Sequence, residues 1–554
     1  MPPEDPIRLV WRNLGASSIL EHRSFTRHRD FVKCVPNHQS LALALLAFGL
    51  AATEPAAQER LTPNEARLIE VLKADIPQIL RLVGTPGLNL AIARRGQVIW
   101  EDGFGFADLE RRIPMTAATV THSGSMGKTY TATAVMQLVE QGILELDGPV
   151  NRYLPGWQIR NPLGGREVTV RDLLTHRSGL AGNGAWSVLR DPKPLAEHLP
   201  EAYGKKQNDF YGGVVPTWAT RAGEKYEYSN LGIATLGYLV QVTNPEKLSF
   251  SDYVQRHIID PLGMTSTQFP PVQDSAHIRP DIWAKMSRGY AGIGPVRIPT
   301  PAIYFEDHPA GTVVTKPSDH IRVLLAMQHD GRYNGYQLLK PETVKLMLTP
   351  YPGTESPTVG LVWNLRDWDK PYRRFDHGGA HMWGWTNNYV AFPGLDLAIA
   401  VFMNQWTLPN DAQGARYQEA RLITEFVRSW VERDLAGTLR PVPTHSWAWK
   451  VSYVQGLMMV ESVNGALGIK EPLSAATIDM MIRGAAPRVE RNGASVWDPE
   501  GFRAGIADMA GAELTPAGIA AFFQSDRLRV LPEELPLIYL ELGGRGNLPD
   551  PKPR

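Results

Sequence analysis

Apolar residues first recur with helical spacing at Ile69, Leu72, Ile76 and Leu80, which predicts a helix leading up to Gly84-Thr-Pro-Gly87. The pattern then switches to alternation. Residues 88–100 read as two strands joined at Arg95-Gly96, a hairpin that opens an antiparallel sheet. Helical spacing returns at Ala132, Val135, Met136 and Val139, with Gly142 as a stop. Thr169-Val-Arg-Asp172 is a near capping box, with Asp where Glu or Gln is usual, and the helix it starts is expected to end at Ser178-Gly179. Further helices are expected from Leu231 towards Val242 and from Tyr253 to about Ile259, the second closed by Pro261-Leu-Gly-Met264. Residues 388–392 and 397–403 flank Pro393-Gly-Leu-Asp396 as a second hairpin, and a helix from about Arg416 to Leu435 is expected to pack on that sheet.

Strands at both ends with helices inserted between them indicate an α+β architecture, in which distant segments meet in one sheet. A chain of 554 residues exceeds one compact core. The expected division is an N-terminal extension over 1–60, a main domain over 61–435, and a linker with a mostly helical region over 436–554. The linker is read from the Pro-containing stretch 437–443, and helices are expected at 474–482 and 515–523. No catalytic pattern occurs in this last region.

Hydrophobic residues make up 43% and charged residues 21%, the mix of a soluble globular protein. Lys plus Arg and Asp plus Glu both count 57, so no charge excess draws the chain to nucleic acid or an anionic membrane. Small molecules or peptides are the expected partners, and oligomeric state is left open. The single cysteine, Cys34, precedes the regular part, which therefore has no thiol chemistry of its own. Residues 41–50 form an apolar run preceded by Arg27, Arg29 and Lys33, too short to span a bilayer but suited to the core of a secretory signal. Cleavage is expected between Gly49 and Gln58, with a translation start downstream of Met1, a periplasmic or secreted location, and no stable membrane span afterwards.

Three motifs carry chemistry. In Ser125-Met-Gly-Lys128 the serine opens a helix, and positions three apart share a face, so the amine can reach the hydroxyl. Lysine serves as a base there once burial and positive neighbours lower its pKa. Tyr228-Ser-Asn230 sits about a hundred residues on, in the turn before a helix, where a tyrosinate or neutral phenol could relay a proton and the amide could orient an acyl group. His377-Gly378-Gly379-Ala380 lies just before the closing hairpin, where glycines let a substrate approach a strand edge and a backbone N–H could complete an oxyanion hole. Taken singly, each motif reads more readily as an ordinary helix face, surface turn or Gly-rich turn without function.

In this order and with these flanks, the motifs resemble those of the class C β-lactamase-like serine hydrolases, the superfamily that also holds family VIII carboxylesterases and D-aminopeptidases. Asp172-Leu-Leu-Thr-His-Arg-Ser-Gly-Leu180, Pro261-Leu-Gly-Met264 and Ala310-Gly311 add to the resemblance, which covers about 61–435. It implies a β-lactamase/transpeptidase-like antiparallel sheet flanked by helices, with His377, Gly378 and Gly379 on the sheet, Tyr228 and Asn230 in an all-helical region, and the active site between them. It also implies an acyl-enzyme on Ser125, proton shuttling by Lys128 and Tyr228, and an oxyanion hole from the N–H groups of Ser125 and Ala380. No cofactor or metal is implied. One departure bears on substrate. Where the β-lactamases carry Lys-Thr-Gly or Lys-Ser-Gly, this chain has His377-Gly378-Gly379, which loses the cation suited to an antibiotic carboxylate and favours other esters or amides.

Other classes fit less well. His377 and His381 stand four apart as zinc ligands might on a helix, but Gly378-Gly379 argues against a helix and no His-Glu-x-x-His occurs. Ser123-Gly-Ser-Met-Gly127 has serine where the first glycine of an α/β-hydrolase nucleophile turn belongs. A true β-lactamase and a non-catalytic penicillin-binding-like sensor on the same scaffold remain open alternatives. Trp186, Trp218, Trp383 and Trp385 are candidate walls for an apolar acyl pocket, core packing being the commoner role of tryptophan.

Overall fold

In the computed structural model, the residues described are 61–538, less 182–185, 188–191, 205–206, 209–213, 294–295, 352–357, 368–372, 382–383, 408–417, 441–444, 468–489, 492–493, 496, 511–520, 523–524, 526, 532–533 and 536–537. The apolar run at 41–50, Trp383, the helix expected at 474–482 and nearly all of that at 515–523 lie outside them, as does the side chain of Trp186.

Helix α1 (Pro63–Val83) begins with a full capping box between Thr62 and Glu65 and ends at Gly84. The predicted hairpin follows as β1 (Gly87–Arg94) and β2 (Gln97–Asp108), with the short β3 (Ile113–Pro114) beside it. Helices α2 (Lys128–Glu140), α3 (Val170–Leu174), α4 (Asn230–Thr243), α5 (Phe250–Val254) and α6 (Pro317–Gln328) come next. The chain then returns to the sheet through β4 (Asn364–Arg366), β5 (Arg374–His381), β6 (Trp385–Phe392) and β7 (Leu397–Met403), and α7 (Gln418–Leu435) closes this part.

The sheet runs β4-β5-β6-β7-β1-β2-β3, with antiparallel pairing throughout. Pairing of Leu88 with Met403 and Arg94 with Leu397 joins the first and second hairpins, the meeting of distant segments that the strand pattern implied. Alternation along these central strands sorts residues by size. Leu88, Leu90, Ile92, Ile399 and Val401 face one way, into a core shared with α1 and α7. Ala91, Ala93, Ala398 and Ala400 face the other way, and these small side chains let α6 lie close to the sheet.

Two helices differ from expectation. α3 has the capping box, with Asp172 bonded to the Thr169 N–H and ion-paired to Arg166, but it stops at Leu174 rather than Ser178. His176 turns left-handed at φ 55°, a conformation that no α-helix continues through. The helix around Tyr253–Ile259 starts earlier, at Phe250, and its second half is a π-turn over Gln255–Ile259.

Beyond Leu435, α8 (Trp447–Leu467) and α9 (Pro499–Ala510) pack on each other around Tyr453, Leu457, Phe502 and Ile506. This second core is fastened to the first, since Leu531 enters the apolar layer of α1 and α7 and Arg67 donates to the Arg440 carbonyl. Within the second part, buried Lys450 pairs with Glu534. Among the described residues no helix is long and apolar enough to cross a membrane.

Candidate active site

Ser125 lies in a 3-10 turn, Gly124–Gly127, and Lys128 is the first residue of α2. The serine thus precedes the α-helix instead of opening it. Because side chains three apart eclipse in a 3-10 turn, the amine is brought straight over the hydroxyl. Lys128 Nζ is 3.0 Å from Ser125 Oγ and donates to the Ala310 carbonyl at 2.7 Å. The lysine is fully buried, and burial pushes its pKa down to about 7, with Asp307 pulling weakly the other way.

The turn is wedged between two other segments at points where only glycine fits. A Cβ on Gly379 of β5 would sit 1.9 Å from the Ser123 carbonyl, and one on Gly311 would sit 2.7 Å from the Gly124 carbonyl. Sheet and loop therefore both press on the serine turn, backbone against backbone. Ser125, Gly124, Asn230, Phe305, Asp307, Ala310, Gly311, Thr312, Ala380 and His381 line the resulting narrow cleft, about 40 Å³ in volume. Ala380 is thus placed beside Ser125 as expected, and so is Asn230, which is the first residue of α4 after the Ser229 cap. β4 pairs only with Arg374, Phe375 and Asp376, so no strand among the described residues covers 377–381 on that edge of β5.

Tyr228 joins the same group from the helical side. Its ring centroid is 5.0 Å from Lys128 Nζ, and the His176 ring lies 4.4 Å from it. Hydroxyl, amine and phenol ring, drawn from sequence positions a hundred apart, therefore meet. His377 is 4% exposed and its Nδ1 donates to the Gly378 carbonyl at 2.7 Å. Burial, followed by the nearby Lys128, lowers its pKa to about 4, so the ring is neutral at pH 7 and offers no cation. His377 and His381 lie on one strand, not on a helical turn.

The tryptophans take other places. Trp385 is 6% exposed, donates to Ser287 Oγ, and backs His122 and His381 from behind the cleft wall. Trp218 packs on Tyr203 in the helical core. Both pack in the interior, and among the described residues Phe305 lines the cleft, edge-on to His381 at 4.8 Å. Sequence reasoning also missed the Ala310 carbonyl, Asp307 and His176. Signals existed for two of them, since Ala310-Gly311 and the stretch holding His176 were part of the resemblance without a role. Asp307 had none.

Comparison with known proteins agrees with the fold. "Putative penicillin-binding protein PbpX" of Bacillus subtilis (strain 168) is 30% identical over 194 residues, 35% of this chain and 44% of that protein. "Protein flp" of Staphylococcus aureus (strain NCTC 8325 / PS 47) is 25% identical over 211 residues, 38% of this chain and 39% of that protein. The chain thus spans less than half the length of these relatives. The structure of D-amino acid amidase from Ochrobactrum anthropi SV3 complexed with D-phenylalanine shares the fold, with TM-score 0.53 at 21% identity over 66% of this chain and 99% of that one. The structure of SurE does so with TM-score 0.52 at 22% identity, over 69% and 80%. The sequence pattern of the family described as Beta-lactamase matches residues 74–423, the stretch that holds the sheet, the serine turn and Tyr228, and the chain belongs to that family.

Proposed function

We propose that the chain is a serine hydrolase that cleaves ester or amide bonds through an acyl-enzyme on Ser125. The observation that carries this is the 3.0 Å contact between Ser125 Oγ and a buried Lys128 amine whose pKa is near neutrality. With one amine hydrogen given to the Ala310 carbonyl, the neutral amine can rotate from donating to Ser125 Oγ to turning its lone pair toward the serine proton. In this reading Ser125 gives its proton to Lys128 as Oγ attacks the carbonyl carbon. The N–H groups of Ser125 and Ala380 hold the oxyanion. As the bond to the leaving group breaks, Tyr228 passes a proton to the departing oxygen or nitrogen. Water, deprotonated by the same pair, then cleaves the acyl-enzyme. Asn230 orients the acyl group, which runs along the uncovered edge of β5.

Esterase-like or peptidase-like substrates suit the site better than β-lactams, because the neutral His377 stands where a cation would meet the antibiotic carboxylate. Export across the cytoplasmic membrane is part of the proposal and rests on the apolar run at 41–50. N-terminal sequencing of material from a cell fractionation checks it.

A fluorophosphonate is expected to add covalently to Ser125 and to leave Ser125→Ala unlabelled. Absence of an adduct on folded protein would sink the reading. A panel of short p-nitrophenyl esters, D-amino acid amides, D-alanyl peptides and nitrocefin then ranks substrates, nitrocefin being expected last. An adduct without turnover of any of these would point to a penicillin-binding-like sensor.

A further inference from the structure

The tyrosine segment is held from one residue in another part of the chain. The backbone N–H of Glu227 donates to the His176 carbonyl at 2.7 Å, and the backbone N–H of Ser229 donates to His176 Nδ1 at 3.2 Å. Tyr228, between those two residues, stacks on the imidazole at 4.4 Å with the ring planes 34° apart. One histidine therefore fixes the main chain on both sides of the phenol and one face of its ring.

The arrangement has costs that packing alone does not explain. His176 adopts φ 55°, a left-handed conformation that costs a non-glycine residue roughly 1–2 kcal/mol. Because an N–H donates to Nδ1, the proton of the neutral ring sits on Nε2. That Nε2 is buried with no hydrogen-bond partner among the described residues. Burial, then the neighbouring Lys128 and His377, hold the ring neutral. An apolar side chain would fill the space without the orphaned donor, but it could not accept from Ser229.

We propose that His176 is the positioning residue for Tyr228, keeping the phenol in register with Lys128 for proton transfer. The inference rests on the reading of Tyr228 as proton carrier. His176 is not a catalytic residue here: it acts through the tyrosine, by an acceptor, a carbonyl and a ring face.

Three variants separate these parts. His176→Phe keeps a ring and removes the acceptor. His176→Asn places Oδ1 where Nδ1 was and tolerates a left-handed backbone. Rates on a p-nitrophenyl ester are taken per active site titrated with a fluorophosphonate, so that loss of folded protein does not count. His176→Phe is expected to lower kcat per site by about ten- to a hundredfold with KM within about threefold, the pattern of a misplaced group in the transition state. His176→Asn is expected to recover much of that loss. In a Tyr228→Phe background, His176→Phe is expected to add less than about twofold, since residues that act as a unit are not additive. Should His176→Phe not fold, His176→Gly, which relieves the strained φ and removes both acceptor and ring, carries the same expectations.

An unchanged kcat per site overturns the proposal, as does a loss that persists in full in the Tyr228→Phe background. If Tyr228→Phe alone keeps the wild-type rate, the functional reading of Tyr228 fails first, and the two failures are told apart by which variant shows them.

Discussion

Lys128 and Lys450 are both buried lysines, and the two regions that hold them give them opposite surroundings. Lys450, on α8, meets the fully buried carboxylate of Glu534, which also accepts from the Leu531 N–H, and the pair ties the last segment of the chain to the rest. Lys128 has a hydroxyl and a carbonyl as its hydrogen-bond partners, and the charge of Asp307 acts on it without outweighing burial. An amine facing a carboxylate fastens two segments together. An amine facing neutral groups in a dry site is left able to give up its proton near pH 7. The partner's chemistry, not the depth of burial, sets what each lysine does.

The largest test of this contrast replaces each lysine by methionine. Lys128→Met is expected to slow ester hydrolysis by about a hundredfold or more, the scale of losing a general base. Its thermal midpoint should hold or rise, because a buried amine without a counter-ion has been removed. Lys450→Met should do the reverse. It strands Glu534 in the interior at a cost of about 3–5 kcal/mol, read by calorimetry, while the rate per folded molecule stays within about twofold. Adding Glu534→Leu to Lys450→Met is expected to return most of that stability. If Lys450→Met silenced the enzyme as fully as Lys128→Met, the division of labour would be wrong.

A smaller effect sharpens the comparison through pH. With the Lys128 pKa at about 7, kcat/KM on an uncharged ester should climb as pH rises through that value and level off above it, as the neutral amine becomes the main form. A flat profile from about pH 6 to about pH 9 would show that another group limits the rate.

The smallest effect belongs to Asp75 on α1, close enough to the Lys450–Glu534 pair to sense it. Burial, then Glu534, raises its pKa from 3.8 to about 7. The folded state therefore keeps a proton that the unfolded chain has already released, so the contribution to stability is full below about pH 4 and is lost as pH rises through about 7. Asp75→Asn escapes that loss. Its melting temperature should gain on the wild type between about pH 5 and about pH 8, and a constant difference would refute the assignment.

Much of the sheet was legible because period-two alternation and the turns at Arg95-Gly96 and Pro393-Gly394 are local signals. The antiparallel joining of 88–94 to 397–403 could be inferred only from the order of elements, yet it is where the fold closes. The contact of Ser125 with Lys128 could be expected from their spacing, which by itself is common on helices. Tyr228 and Ala380 were readable only as parts of an ordered set. What stayed hidden has no sequence period. The Ala310 carbonyl that orients Lys128 is a backbone atom, which any residue would supply. The early end of α3 depends on His176 reaching across to residues 227 and 229, a tertiary bond that outweighs local helix preference. Trp218 and Trp385 took the core role that is the commoner one for large rings rather than the cleft wall.

The glycine contacts around the serine turn also set where laboratory evolution can find new selectivity. Gly379 and Gly311 admit no side chain, so randomising them would yield mostly inactive clones whatever substrate is screened. Phe305, Thr312 and His381 line the same space, and a library confined to those three positions is expected to vary what enters while leaving Ser125 Oγ where it is.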